Sequence, residues 1–182
     1  MFRLLILPLV AIAFSAAEAE RYVNDKYGLS FDLPVSADVC RSPEPLPNHG
    51  LLFRPAGVTS PPCDDDIEDG PRYTSADAHF DVDHTDVPAT FVSKTCPELA
   101  FDSRGRVTTM TVPVRFGNLP RAGCRIDGAD GSILEIIFTQ RRETAGVPTI
   151  DYTFVLRTTP QAYVVDHAAF LRWLATVRLI PA

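Results

Sequence analysis

The sequence predicts an α+β domain: an antiparallel β-sheet flanked by helices and held by two disulfides. Three observations carry that expectation. Short segments alternate apolar and polar residues, and in the last third three apolar runs follow one another across turn signals. Near the C-terminus the period lengthens to that of a helix, with Phe170, Leu174 and Val177 at i, i+4 and i+7. Four cysteines, Cys40, Cys63, Cys96 and Cys124, accompany an N-terminus that reads as an export signal, the setting in which disulfides persist.

That N-terminus, MFRLLILPLVAIAFSAAEA, has one basic residue, Arg3, an apolar run from Leu4 to Phe14, and an A-x-A pattern at Ala17 and Ala19. Residues 1–19 are read as a signal peptide cut before Glu20. The run is short of the roughly 20 residues that a membrane-spanning helix needs, so no membrane insertion is expected after cleavage. No cysteine near the cut offers a site for a lipid anchor. Residues 20–182 then form a single periplasmic or secreted α+β domain, large enough to bury a core without metal or partner.

From the N-terminus onward, KYGLSFDLP alternates Tyr27, Leu29, Phe31 and Leu33 with polar neighbours and stops at Pro34, as a half-buried strand does. Two stretches dense in Pro, Gly and Asp follow, with Leu51, Leu52 and Phe53 between them as a short strand. TSADAHFDVDH alternates again, placing Ala78, Phe80 and Val82 on one face and His79, Asp81 and Asp83 on the other. PATFVSKTCPEL fits helix and strand equally. GRVTTMTVPVRF is rich in β-branched residues, and Pro113 makes it an edge strand or marks a bulge. GCRIDGADGSILEIIFTQRR and TIDYTFVLRTT then form an antiparallel three-strand meander. After Pro160 a helix begins, with Asp166 as the expected N-cap, Arg172 and Arg178 off its apolar stripe, and Trp173 in the core. The preferred disulfide pairing is Cys40 to Cys63 and Cys96 to Cys124, because each pair brackets one loop-rich stretch.

The opening YVNDKYGLSFDLP, the meander ending YTFVLRTT and the terminal AAFLRWLATVRLIP together resemble the PsbP-like fold. That fold is shared by photosystem extrinsic subunits, a nuclear import factor and bacterial exported or secretion-associated proteins. The likeness covers the two ends of the mature chain; the cysteine-bearing middle has no counterpart. It implies an antiparallel sheet flanked by helices, used for binding rather than catalysis.

The formal net charge of −6 disfavours nucleic acid and anionic membrane as partners. Charge is uneven: residues 20–102 hold 6 basic and 16 acidic residues, while residues 103–182 hold 10 and 6. In CDDDIEDG, an EF-hand counted from Asp64 finds Asp64, Asp66 and Glu68 at ligand positions. It meets Asp69 where Gly is required and Ser75 where the bidentate Glu belongs, so the stretch reads as a solvated loop and a weak cation candidate. His79, Asp81, Asp83 and His84 offer His and carboxylate ligands at strand spacing, a pattern that a solvated strand face also produces. His167 is read as facing solvent and His49 as a turn residue bonded to backbone. No nucleophile elbow or phosphate-binding glycine loop is present, and Ser132 sits at a hairpin exit. The expected function is a non-enzymatic exported binding protein of inhibitor or immunity type, with a protein partner and no cofactor. The alternative is a metal-dependent hydrolase using the His79, Asp81 and Asp83 face.

Overall fold

A computed structural model describes residues 20–35, 37–40, 49–55, 58, 70–81, 87–142 and 149–179. The expected signal peptide, Cys63, the loop bearing Asp64, Asp66 and Glu68, and the pair Asp83 and His84 lie outside these residues.

The strands are β1 (Arg21–Asn24), β2 (Leu29–Asp32), β3 (Asp38–Cys40), β4 (Gly50–Arg54), β5 (Tyr73–Phe80), β6 (Arg106–Met110), β7 (Arg121–Asp127), β8 (Ile133–Arg141), β9 (Ile150–Thr158) and β10 (Arg178–Leu179). Seven of them form an antiparallel sheet in the order β3-β4-β5-β9-β8-β7-β6. The expected meander β7-β8-β9 lies within it, with β9 the middle strand, and β6 lies at one edge, ending at Met110 before Pro113. Strand β4 lies close against β5: a Cβ on Gly50 would stand 1.8 Å from the Ala76 carbonyl oxygen, so only glycine fits.

The two sheet faces have different covers. On one face Ile137, Tyr152, Phe154, Leu156 and Ala78 meet helix α3 (Tyr163–Leu174), the segment carrying Val112 and Phe116, and a separate three-stranded sheet, β1-β2-β10. Trp173 is the hub, edge-on to Phe31, Phe53 and Phe154. On the other face Cys124, Ile126, Ile136 and Phe138 lie under a helical run over residues 88–102. The run consists of α1 (Pro88–Thr90), a π-helical turn over Phe91–Thr95, and α2 (Cys96–Asp102). Pro97 accounts for the wide turn. A proline inside a helix has no N–H to donate and crowds the carbonyl four residues back, and here the Cys96 N–H reaches the Phe91 carbonyl, five residues back. That segment, open between helix and strand from its sequence, is therefore helical.

Among the described residues one disulfide is seen, Cys96–Cys124; Cys40 is buried and not a free thiol, and Cys63 lies outside these residues. Several expectations need correcting. The KYGLSFDLP strand is only Leu29–Asp32, belongs to the small sheet, and buries Ser30 as well as its apolar neighbours, so it does not alternate between core and solvent. Asp166 is not the N-cap: α3 begins at Tyr163, and Asp166 lies buried in its first turn. Arg72 donates to both Asp166 oxygens (2.8 and 2.6 Å) and the Thr158 hydroxyl donates to Oδ2 (2.5 Å). Val177 is buried as expected but lies beyond the end of α3, while Phe170 and Leu174 are on its buried face.

Candidate interaction surface

Helix α2 presents two unlike sides. Cys96 and Ala100, one turn apart, are buried against β7, and the Cys96–Cys124 bond ties the helix to that strand. Closing a loop with a sequence separation of 28 stabilises the fold by roughly 3 to 4 kcal/mol in the chain-entropy model. The outward side carries Leu99, 39% exposed, and Phe101, 83% exposed. A single exposed apolar side chain is ordinary on a protein surface. Phe101 is not single in that sense. With Pro97, Ala100, Arg104, Gly105 and Val107 it lines a groove of about 760 Å³ between α2 and the edge strand β6.

The groove's floor is set by how α2 stops. The Gly105 N–H bonds to the Ala100 carbonyl (2.7 Å) and the Arg104 N–H to the Phe101 carbonyl (3.1 Å), the paired bonds of a Schellman ending. That ending needs one left-handed residue, usually glycine, and here it is Arg104, at φ 49°. Gly105 is spent on another constraint: a Cβ there would stand 2.7 Å from Ile126 Cγ2 and 2.9 Å from Ser103 Oγ. Arg104 therefore bears the strain at the groove, and among the described residues no hydrogen bond or ion pair holds its side chain.

The residues singled out from sequence lie elsewhere. His79, on β5, has its Nδ1 3.3 Å from Asp77 Oδ2 and its Nε2 3.8 Å from Asp151 Oδ2. The hydrogen bond that His79 donates to Asp77 raises its pKa above the ordinary histidine value, burial opposes this, and the Asp77, Asp151 and Asp81 charges add to it. Asp81 does not share a solvated face with His79. The strand ends at Phe80, and Asp81 is buried, its Oδ2 3.5 Å from the Gln140 amide nitrogen that also donates to Asp151 (2.9 Å). Among the described residues no three His, Cys, Asp or Glu side chains form a group that could hold a metal ion. His49 does bond to backbone, its Nδ1 3.2 Å from the Ala78 carbonyl oxygen, and it also meets the Tyr27 hydroxyl.

His167 does not face solvent as expected. Its Nδ1 is 2.7 Å from Glu135 Oε2, and the Tyr163 hydroxyl donates to Oε1 at 2.6 Å, so a carboxylate only 1% exposed is bonded at both oxygens. Burial, then the bond to Glu135, raises the pKa of Tyr163. The Arg125 guanidinium stacks on the Tyr163 ring, 4.4 Å from its centroid. Sequence reasoning missed this cluster. Its one signal was the lone carboxylate in the apolar run ILEIIF, with Tyr163 and His167 one helical turn apart.

No family model matches the chain, and no curated protein matches it in sequence. Solved structures do match. The solution structure of cyanobacterial PsbP (CyanoP) from Synechocystis sp. PCC 6803 covers 95% of this chain and 99% of its own, at 12% identity and a TM-score of 0.58. The fold is PsbP-like. The Ran-binding protein Mog1p of Saccharomyces cerevisiae shows the same PsbP-like likeness over 90% of this chain and 96% of its own, at 8% identity and a TM-score of 0.52. At these identities the likeness establishes the fold alone, as the two ends of the chain implied. Among the described residues no helix is long and apolar enough to cross a membrane.

Proposed function

We propose that the protein is an exported, non-enzymatic binding protein that takes a protein partner at the α2–β6 surface. The observation that carries this reading is Phe101, 83% exposed on the rim of the α2–β6 groove and held there by a disulfide-anchored helix. Burying one phenylalanine against a partner is worth about 1.5 to 3 kcal/mol, enough to make it an anchor. The signal pattern of residues 1–19 supports export, and the second disulfide, Cys40 to Cys63, belongs to the same reading. One protein of this fold, Mog1p, is a Ran-binding protein, which accords with protein recognition on this scaffold. The strongly acidic N-terminal half suits an inhibitor or immunity-type role against a partner outside the cytoplasm.

The test is affinity capture from cell-envelope extract with the mature chain and with Phe101→Asp. A stoichiometric protein held by the first and lost by the second supports the reading. Identical recovery by both refutes it, because the substitution charges the exposed anchor without touching the core.

A further inference from the structure

We propose that the partner adds an extended, acidic segment to the outer edge of β6 and seats one apolar side chain in the α2–β6 groove. The inference rests on the protein-binding reading above and adds how the partner is held. Strand β6 pairs with β7 alone among the described residues, so on its other side alternate N–H and C=O groups point outward. Edge strands are ordinarily shortened or blunted by lysine, proline or inward charge. The opposite edge, β3, is only three residues long. Within Arg106–Met110 there is no lysine and no proline, and Val107, Thr108 and Thr109 are β-branched residues that suit a paired strand.

The groove lies where such a strand would need it. Val107 is both a β6 residue and part of the groove lining, so alternate side chains of a strand paired to β6 would project on the groove side. Charge selects the occupant. Among the described residues the groove lining contains Arg104 and no carboxylate, and Arg106, on β6 beside Val107 in sequence and with a side chain 82% exposed, makes only a 3.5 Å contact to Asp127. Arg104 supplies a cation at a backbone position where glycine would sit without strain. A second copy of this chain is a poorer occupant, since edge-to-edge pairing would bring Arg104 and Arg106 of both copies to one short seam.

The experiment uses two labelled eight-residue peptides, one alternating valine and leucine with glutamate, the other with lysine in place of glutamate. Binding to the mature protein is measured by anisotropy at low and high salt, and β6 amide protection by hydrogen exchange. The glutamate peptide is expected to bind about tenfold tighter than the lysine peptide at low salt and to lose that preference at high salt. It should protect outward β6 amides, and the preference should vanish in Arg104→Glu/Arg106→Glu, whose substitutions are at the surface. Equal binding of the two peptides, unprotected β6 amides, or concentration-dependent dimerisation through β6 would each overturn the proposal. A captured partner that depends on Phe101 but leaves β6 amides unprotected defeats strand addition alone. Capture indifferent to Phe101→Asp defeats the binding surface itself.

Discussion

Replacing Arg104 with glycine should make the protein more stable. A left-handed backbone costs a residue with a Cβ about 1 to 2 kcal/mol. Arg104 is the one non-glycine residue at positive φ among those described. Glycine removes that cost but loosens the unfolded chain, which returns about 0.4 to 1 kcal/mol. The side chain is exposed and holds no partner among the described residues, so no packing is lost. The net gain is about 0.5 to 1 kcal/mol, which for a domain of this size moves the melting temperature up by about 1 to 4 °C. Urea melts of the two proteins, with the same dependence on denaturant, provide the assay. The control is Gly105→Ala, which must destabilise because its Cβ would meet Ile126 and Ser103. A variant that melts at or below the parent would show that the arginine side chain is stabilising the fold, and the inference of a strained residue kept for its charge would fail.

Three other outcomes are expected. Leu174→Ala and Phe170→Ala should each cost about 2 to 5 kcal/mol, since both side chains are buried, while the exposed Arg172→Ala should cost under about 0.5 kcal/mol; equal losses in denaturant melts would mean that α3 is rotated. His79 should titrate in an NMR pH series above the ordinary value of 6.5, and Asp77→Asn should lower the midpoint, because the Asp77 hydrogen bond is the largest cause of the rise. Because the folded pKa is the raised one, its small, half-exposed contribution to stability is complete below pH 6.5 and fades as pH climbs through the folded midpoint. Elemental analysis of protein purified without chelator should find well under one transition metal per chain; one per chain, lost on changing His79 and Asp81 to alanine, would favour the hydrolase alternative.

The parts of the fold that could be read from sequence are those in which a single period governs a long segment. Strands β8 and β9 are nine residues each, and the DGADG turn fixes the β7–β8 hairpin. The stripe of Phe170 and Leu174 predicted the buried side of α3 for the same reason. Where tertiary contacts override the local pattern, the reading fails. Ser30 is buried because β2 lies between β1 and β10 rather than in a half-wet sheet. The helical run over residues 88–102 could not be distinguished from a strand, because Pro97 disrupts the helical period and the π turn that absorbs it shifts the phase. With the helix undecided, Phe101 could not be assigned to a surface. The groove therefore stayed invisible.

The misreading of Asp166 and His167 has one cause, and it shows how α3 is held. Asp–His–Ala after an apolar stretch looks like a cap, yet the residue before the helix, Ala162, makes no side-chain cap bond. The helix begins earlier because its first turns are secured from the sheet side: Asp166 is bonded by Arg72 and Thr158, and Tyr163 and His167 bond to Glu135. The second half of α3 is held differently, by Phe170, Trp173 and Leu174. A buried carboxylate is costly unless bonded, so Glu135 and Asp166 contribute position more than net stability. Removing Tyr163 or His167 leaves a Glu135 oxygen unbonded and should loosen the start of α3, whereas removing Leu174 leaves a cavity under its end. α3 is on the sheet face opposite α2, so neither loss should alter the α2–β6 groove. Binding at the groove and anchoring of α3 are then separable, and a binding defect from Tyr163→Phe with β6 and α2 intact would mean that the partner also uses the α3 face.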